Sequence, residues 1–290
     1  MSDLVYLNGD YLPLAEAKIP VLDRGFIFGD GVYEVIPVYD RRPFRMADHL
    51  DRLRRSLAGI RLADPYGDAE WQALFAPLIE AADWPDQGIY IQVTRGPAPR
   101  DHAFPKDVRP TVFIMAMQLS APPPEVVEHG VAAITAEDNR WLRCDLKAVS
   151  LLANVLLRQL SVDRGCAETV LIRSGHLTEG SASSIFVVRD GVIMAPPHDN
   201  LVLPGITYDV VVELAGQAGL PVALRPVTEA ELRGADEIWL TSSTKEITAV
   251  TRLDGQPVGD GRPGPLFRRL HAAYQVYKHQ VMRGRAGDTP

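Results

Sequence analysis

One lysine in an arginine-rich chain has the residue type and surroundings of a carbonyl-attacking amine. Lys147 ends the run Trp141-Leu-Arg-Cys-Asp-Leu-Lys and precedes an apolar stretch. The chain has 30 basic residues, and its only lysines are Lys18, Lys106, Lys147, Lys245 and Lys278. An amine can lose its proton and attack a carbonyl carbon, whereas a guanidinium cannot. Most lysines are solvated surface residues, so Lys147 is a candidate nucleophile that needs chemical partners.

The first candidate partner is an acid in the run Thr178-Glu179-Gly180-Ser181. The pattern around Glu179 predicts a turn between two strands, where an acid is usually solvated. Beside a lysine that forms a Schiff base, however, a buried carboxylate can keep a pyridine nitrogen protonated.

The second candidate partner is the run Leu203-Pro-Gly-Ile-Thr207, which opens a predicted helix. The first N–H groups of a helix lack partners within it and, with the helix dipole, favour a phosphate. By itself the run is also compatible with an ordinary helix start. Together, the amine of Lys147, the acid of Glu179 and this helix start are the three parts of a pyridoxal 5′-phosphate site.

Candidate substrate-binding residues lie in the long loop 95–110 and on a strand before it. Arg100 and His102 are two residues apart, and an arginine can bind a carboxylate through two parallel hydrogen bonds. Loops of this length are usually functional or disordered, so a solvated loop is an equal alternative. Tyr33 lies in the strand-like run 31–39, as a core aromatic or with its hydroxyl in a polar cleft.

Bulk composition excludes several classes of protein. The chain has 290 residues, 46% of them hydrophobic, and a net charge of −7, which argues against nucleic-acid binding. Cys144 and Cys166 are the only cysteines, so neither a disulfide framework nor a metal-ligand spacing is present. No segment has the length and apolarity of a membrane span. We expect a cytoplasmic protein without a metal.

The periodicity of apolar residues predicts an α+β protein. Helical spacing is found at 47–60, 68–82, 150–164, 206–218 and 265–282. Strand-like runs are found at 31–39, 89–94, 111–119, 131–136, 168–173, 184–189, 191–195 and 236–241. Three consecutive prolines follow Ala121 and favour an extended connection. We predict a small N-terminal domain over 1–120, a Pro-rich linker over 121–130, and a larger domain over 131–290 that carries Lys147.

Colinear motifs over nearly the whole chain resemble the fold-type IV pyridoxal phosphate-dependent aminotransferases, most closely the D-amino acid (D-alanine) aminotransferases. The matching runs are Asp23-Arg-Gly-Phe-Ile-Phe-Gly-Asp-Gly-Val-Tyr-Glu-Val35, His49–Leu53, Ile89–Gly96, Arg100-Asp-His102, Arg140–Lys147, Thr178–Ser181, Gly205-Ile-Thr207 and Thr241–Thr248. Tyr33 with Arg100 and His102 favours the D-amino acid enzymes over the branched-chain L-amino acid enzymes.

The resemblance implies a role for each cofactor-binding residue. Lys147 would carry pyridoxal 5′-phosphate as a Schiff base and later shuttle the α-proton, while Glu179 would meet the pyridine nitrogen. Leu203 would support the ring. The phosphate would be held by Arg52, by the backbone of Ile206 and Thr207, and by Ser243.

The resemblance also implies the substrates and the assembly. Tyr33, Arg100 and His102 would bind the substrate carboxylate, in part from a partner subunit, and Arg140 would lie near the phenolic side of the cofactor. The expected protein is a two-domain homodimer with shared active sites that acts on amino acids and 2-oxo acids. D-alanine and 2-oxoglutarate would give pyruvate and D-glutamate.

Three alternatives stay open at this stage. A branched-chain L-amino acid aminotransferase would leave Arg100 and His102 as incidental loop residues, and 4-amino-4-deoxychorismate lyase uses the same scaffold for elimination. A catalytically silent dimer is disfavoured by the pair Lys147 and Glu179. The sequence departs from the related enzymes at three positions near the expected cofactor site: Ala182, Ser184 and Ser243.

Overall fold

The computed structural model describes residues 3–107 and 109–285 and divides the chain into two compact units. Unit 1 comprises the residues up to Ser120 together with Leu146–Leu151. Unit 2 comprises Ala121–Asp145 and the residues from Leu152 onward. Each unit combines helices with one sheet, which confirms the predicted α+β class.

Unit 1 is built on a six-stranded antiparallel sheet with the strand order β2-β1-β6-β5-β3-β4. Its strands are β1 (Leu4–Leu7), β2 (Asp10–Pro13), β3 (Gly31–Tyr39), β4 (Arg42–Pro43), β5 (Asp86–Thr94) and β6 (Thr111–Gln118). Its helices are α1 (Arg24–Phe28), α2 (Met46–Gly59) and α3 (Asp68–Ala81), with a 3₁₀ turn at Leu14–Glu16. Leu50, Leu53 and Leu57 of α2 share one buried cluster with Ile36 of β3, so the apolar stripe fixes α2 on the sheet.

The segment Leu146–Leu151 belongs to unit 1, whereas the sequence analysis assigned Lys147 to the second domain. Ala148 forms a β-bridge with Val32, and the backbone N–H of Val149 donates to the carbonyl of Gly31 at 3.0 Å. This pairing with β3 joins residues more than 100 positions apart, so local periodicity does not reveal it.

Unit 2 is built on a mixed nine-stranded sheet, in which β15 pairs with β14 beside the path β12-β11-β10-β13-β14-β7-β8-β9. The pairs β11–β12, β14–β7 and β7–β8 are parallel, and the others are antiparallel. The strands are β7 (Val131–Glu137), β8 (Glu168–Arg173), β9 (His176–Gly180), β10 (Ser184–Arg189), β11 (Val192–Ala195), β12 (Val222–Leu224), β13 (Glu237–Ser242), β14 (Glu246–Leu253) and β15 (Gln256–Pro257).

The helices of unit 2 are α4 (Pro124–His129), α5 (Leu152–Val162), α6 (Ile206–Gln217), α7 (Glu229–Arg233) and α8 (Pro265–Tyr277), followed by a π-helical turn at Lys278–Met282.

Two local features differ from the sequence analysis. The expected linker 121–130 contains α4, because proline is well tolerated in the first turn of a helix. Glu179 lies within β9 rather than in a turn. In the described ranges, no helix is both long and apolar enough to span a membrane.

Candidate active site

The backbone of Lys147 is held from two sides within unit 1. Its N–H donates to the hydroxyl of Ser56 on α2 at 3.1 Å, and its carbonyl accepts from the N–H of Tyr33 on β3 at 2.9 Å. The Lys147 Nζ lies 4.1 Å from the centre of the Tyr33 ring, a cation–π distance. The structure therefore brings the candidate nucleophile and the candidate substrate residue Tyr33 into direct contact.

Arg52 of α2 lies in a buried ionic network. Its Nε and Nη2 donate to the two carboxylate oxygens of Glu34 at 2.9 and 2.7 Å, and His49 Nδ1 lies 3.1 Å from Glu34 Oε1. Burial by itself would raise the pKa of Glu34, but Arg52 and His49 lower it more, so the carboxylate stays charged. Burial lowers the pKa of His49, and its Nε2 is buried without a hydrogen-bond partner among the described residues.

Arg100 and His102 are exposed but converge on one aromatic ring of unit 1. The Arg100 guanidinium lies 5.4 Å from the ring centre of Phe28, and the His102 ring lies 5.3 Å from the same ring. The structure thus places the two predicted carboxylate ligands against the same residue, Phe28, at the end of α1.

Glu179 of unit 2 accepts hydrogen bonds on both carboxylate oxygens. Arg140 Nη1 donates to Oε1, and the backbone N–H of Leu203 donates to Oε2 at 3.1 Å. Arg140 also donates from Nε and Nη2 to the two oxygens of Asp138, each at 2.9 Å, and Thr178 donates to Asp138 at 2.9 Å. The predicted residues Glu179, Arg140 and Leu203 therefore form one cluster.

Electrostatics separate the two acids of this cluster. Burial raises the pKa of Glu179 to about 7, although Arg140 acts in the opposite direction. Asp138 is also subject to burial, but the paired hydrogen bonds and charge of Arg140 lower its pKa to about 2. Arg140 thus stabilises mainly the negative charge of Asp138. An additional positive charge nearby would stabilise the ionised form of Glu179 more than that of Asp138.

The start of α6 offers backbone donors. Gly205 is the N-cap residue, and among the described residues no side chain caps the helix. A Cβ at Gly205 would lie 2.9 Å from the Ser184 hydroxyl and 3.2 Å from the Tyr208 Cβ, so only glycine leaves this corner open. Ile206 and Thr207, the predicted phosphate ligands, are both buried here.

Ser243 lies half-buried in the turn after β13. Two residues before it, Thr241 pairs with Ser184 of β10, the residue beside Gly205. The Ser243 turn and the start of α6 are therefore both placed next to the beginning of β10.

A buried acid that the sequence analysis missed ties this turn to the segment after Glu179. Glu168 accepts from the hydroxyls of Ser181 and Ser183, the latter at 2.7 Å, and from Lys245 Nζ at 3.0 Å. The sequence signal was available, because Glu168 begins the strand-like run Glu-Thr-Val-Leu-Ile, whose last three residues are apolar. Glu34 carries the same signal within β3, and neither acid was assigned a role.

These residues fit pyridoxal 5′-phosphate on the chemistry of their donors. Unit 1 supplies an amine on Lys147. Unit 2 supplies the buried carboxylate of Glu179, whose raised pKa suits an interaction with a protonated ring nitrogen. It also supplies the start of α6, where Gly205 leaves space for a phosphate beside the backbone N–H groups. The residues for the three parts of the predicted site are thus all present, each set described within its own unit.

Comparison with known proteins adds independent information. The chain is 40% identical over 271 residues to the D-alanine aminotransferase of Bacillus licheniformis, which covers 93% of this chain and 95% of the relative. Among solved structures, the branched-chain amino acid aminotransferase of Escherichia coli matches with a TM-score of 0.89 at 27% identity, covering 100% of this chain and 97% of that chain. The T.th. branched-chain enzyme with pyridoxamine 5′-phosphate matches with a TM-score of 0.89 at 28% identity, covering 99% and 96%.

The family described as amino-transferase class IV matches residues 31–253. This range begins at β3, which carries Tyr33, and includes Lys147, Glu179 and the start of α6. Because the family match spans most of the chain and the curated relative exceeds 30% identity, the resemblance inferred from motifs is confirmed, and the chain belongs to the class IV aminotransferases.

Proposed function

We propose that this chain catalyses pyridoxal phosphate-dependent transamination between D-amino acids and 2-oxo acids. The expected exchange is D-alanine and 2-oxoglutarate to pyruvate and D-glutamate. The observation that carries the proposal is the convergence of Arg100 and His102 on Phe28, in the unit that also holds Tyr33 and Lys147. The 40% identity with a D-alanine aminotransferase supports the same substrate class.

The residues proposed to hold the cofactor differ in chemistry between the units. In unit 1, the Lys147 amine would bind the cofactor aldehyde and Arg52 would face the phosphate. In unit 2, Glu179 would accept a hydrogen bond from the ring nitrogen, and Leu203 would support the ring. The phosphate would accept hydrogen bonds from the backbone of Ile206 and Thr207 and from the hydroxyl of Ser243.

Substrate binding is assigned to charged and aromatic groups of unit 1. The Arg100 guanidinium and the His102 ring would clamp the α-carboxylate, and Tyr33 would complete the clamp through its hydroxyl. A bidentate contact fixes both the position and the plane of the carboxylate. The amino acid can then present only one face of its α-carbon, which is the basis of stereochemical selection.

Proton transfer is assigned to Lys147. Its Nζ would accept the α-proton of the bound amino acid as a general base. When bound, pyridoxal phosphate supplies an electron sink for the charge left on the α-carbon. Glu179 would keep the ring nitrogen protonated, because a buried carboxylate is stabilised by a cation placed beside it.

Steady-state turnover tests the proposal. The purified holoenzyme is supplied with D-alanine or L-leucine, each with 2-oxoglutarate, and the glutamate that forms is assigned to its enantiomer. We expect D-glutamate from D-alanine and little product from L-leucine. L-glutamate from L-leucine would instead establish a branched-chain enzyme, the function of the solved structures that this chain resembles. Pyruvate released from 4-amino-4-deoxychorismate, without amino transfer, would establish the lyase.

We also propose a cytoplasmic homodimer. Both cysteines are free, as in most proteins of a reducing compartment. Unit 2 exposes an apolar face on α5, where Leu152, Val155 and Leu156 are 71%, 59% and 59% exposed at helical spacing. A second copy of the chain is the proposed cover for this face.

A further inference from the structure

A buried arginine at the start of α1 takes no part in the chemistry described above. Arg24 is only 3% exposed. The preceding Asp23 caps the helix by accepting from the N–H of Gly25 at 2.8 Å, and also accepts from the hydroxyls of Thr94 and Thr111 at 2.8 and 2.6 Å. Because Asp23 is fully buried and anchored to two strands, the backbone of Arg24 has a fixed position.

The Arg24 guanidinium donates to the backbone of the loop that carries Arg100 and His102. Its Nη1 lies 2.5 Å from the carbonyl oxygen of Asp101 and 3.3 Å from that of Ala103, and its Nη2 lies 3.4 Å from that of His102. A planar guanidinium can bond several carbonyls at fixed angles, which an ammonium group cannot. These bonds therefore constrain the loop at His102 and at both of its neighbours.

The other end of α1 contacts the same loop through Phe28. The Arg24 guanidinium lies 4.9 Å from the centre of the Phe28 ring, on which Arg100 and His102 also pack. One short helix thus holds the loop backbone with Arg24 and the two functional side chains with Phe28.

Asp30 connects Arg24 to a second buried arginine. Its Oδ2 accepts from Arg24 Nε and from Arg95 Nε, each at 2.8 Å, and its Oδ1 accepts from Arg95 Nη2 at 3.0 Å. Arg95 Nη2 also donates to the carbonyl of Ile60 at 2.6 Å, and its guanidinium lies 3.8 Å from the centre of the Phe104 ring. The Asp30 carboxylate therefore fixes Arg24 relative to the end of α2 and the far side of the loop.

We propose that Arg24 is a positioning residue for substrate carboxylate binding. Held by Asp30, its guanidinium sets the backbone of residues 101–103 so that Arg100 and His102 present their N–H groups to an α-carboxylate. Arg24 does not itself touch the substrate. The inference rests on the proposed function, because that function assigns carboxylate binding to Arg100 and His102.

The first test compares the holoenzymes of Arg24→Lys and of a matched control. Lysine keeps the charge beside Asp30 but loses the set of carbonyl bonds. We expect the KM for D-alanine and the dissociation constant of propionate, read from the absorption of the bound cofactor, to rise together by about tenfold. We expect kcat to stay within about threefold of the wild-type value. A raised KM with nearly unchanged kcat shows that the ground state and the transition state have lost the same amount of binding energy.

Arg41→Lys is the matched control. Arg41 also lies in unit 1 and donates to three backbone carbonyls, those of Ile79, Glu80 and Ala82, away from the loop. We expect this variant to keep the wild-type KM and propionate affinity. Equal losses in both variants would show only general damage and would overturn the positioning role.

A double-variant cycle separates positioning from an independent effect. Once Arg100→Ala and His102→Ala together have removed both carboxylate ligands, adding Arg24→Lys should raise the propionate dissociation constant by less than about twofold. A full additional tenfold loss would contradict an action through Arg100 and His102. The proposed function fails separately if the wild type does not turn over D-alanine, whereas the propionate titration still reports on Arg24 in that case.

Discussion

At the scale of single residues, the proposed chemistry depends on an amine and an acid whose surroundings the structure defines. Lys147 is placed by backbone bonds to Ser56 and Tyr33, and its Nζ lies over the Tyr33 ring. Glu179 is buried and shares Arg140 with Asp138. Each arrangement leads to a prediction that does not depend on the other.

We expect Lys147→Arg to abolish turnover while the protein stays folded. Arginine keeps a cation that can lie over Tyr33 but cannot lose its proton or bind an aldehyde. The rate of D-alanine turnover should fall by at least about a thousandfold, since a general base commonly contributes 10²–10⁴ and the covalent function is lost as well. The exposed Lys18, changed to Arg, is the control and should retain the wild-type rate. Residual turnover within tenfold of the wild type would exclude Lys147 as the reacting amine.

The raised pKa of Glu179 predicts how the stability of the cofactor-free protein changes with pH. Its pKa lies at about 7 in the folded protein, above the ordinary value of 4.5, so the folded state holds a proton that the unfolded state has released. The free energy of unfolding should therefore fall by at most about 3 kcal/mol as the pH rises from about 4.5 to 7. Above pH 7 this contribution should level off.

Glu179→Gln removes this titration. Relative to the wild type, the variant should gain thermal stability between pH 5 and pH 8, measured as the difference in Tm of the two cofactor-free proteins. Added cofactor should reverse the order at pH 8, because a protonated ring nitrogen compensates the wild-type carboxylate. A Tm difference that does not change with pH would show that Glu179 keeps an ordinary pKa.

At the scale of elements, the segment 146–151 is shaped by close contacts with α1 and β3. Gly29 ends α1 with a φ of 66°, and a Cβ there would lie 2.9 Å from the Cβ of Ser150 and 3.1 Å from its Cα. A side chain at this position would push against the backbone that carries Lys147. The position therefore requires glycine both for its conformation and for its contact.

We expect Gly29→Ala to lower both stability and turnover. Gly165→Ala is the matched control, because Gly165 has a φ of 65° but a Cβ added there would have no neighbouring atom within 4 Å. The control should lose about 1 kcal/mol from backbone strain, and Gly29→Ala a further 1–3 kcal/mol or so from overlap. Tm and D-alanine turnover measure the two effects. Equal Tm losses and unchanged turnover in both variants would show that Gly29 does not restrain the Lys147 segment.

The helices and strands could largely be predicted from the sequence, because the apolar spacing that determines them involves residues close together in the chain. The helix expected at 206–218 is α6 (Ile206–Gln217), and the strand expected at 31–39 is β3. The pairing of 146–151 with β3 was not predicted, because hydrophobic periodicity carries no information on distant partners. The turn assigned to Glu179 was wrong for a related reason: buried polar residues in β9 interrupt the apolar alternation that marks a strand.

The candidate residues were predicted by chemistry and motif, but their supporting residues were not. Lys147 and Glu179 stand out by type and context, whereas Asp30, Glu34 and Glu168 matter through partners distant in sequence. A buried acid is recognisable only when its cationic and hydroxyl partners are known. The assignments of cofactor and substrate ligands stay predictions.

At the scale of the whole molecule, the proposed homodimer can be tested at the exposed apolar face of α5. Changing Leu152 and Leu156 together to Glu should shift a dimer towards monomer at micromolar concentration, since two buried leucines contribute about 3 kcal/mol or more on each side. Sedimentation velocity measures the shift. Leu224→Glu, which changes an exposed leucine on β12, is the control and should leave the dimer intact. A double variant that sediments as the wild type would exclude α5 from the interface.

The proposed function requires that this class IV aminotransferase select D-amino acids through Arg100, His102 and Tyr33. The most direct measurement mixes the pyridoxal phosphate-loaded protein with D-alanine or with L-leucine, without any oxo acid, and follows the absorption of the bound cofactor. We expect conversion to the pyridoxamine form by D-alanine and not by L-leucine. Conversion by L-leucine alone would contradict it and assign the chain to the branched-chain enzymes.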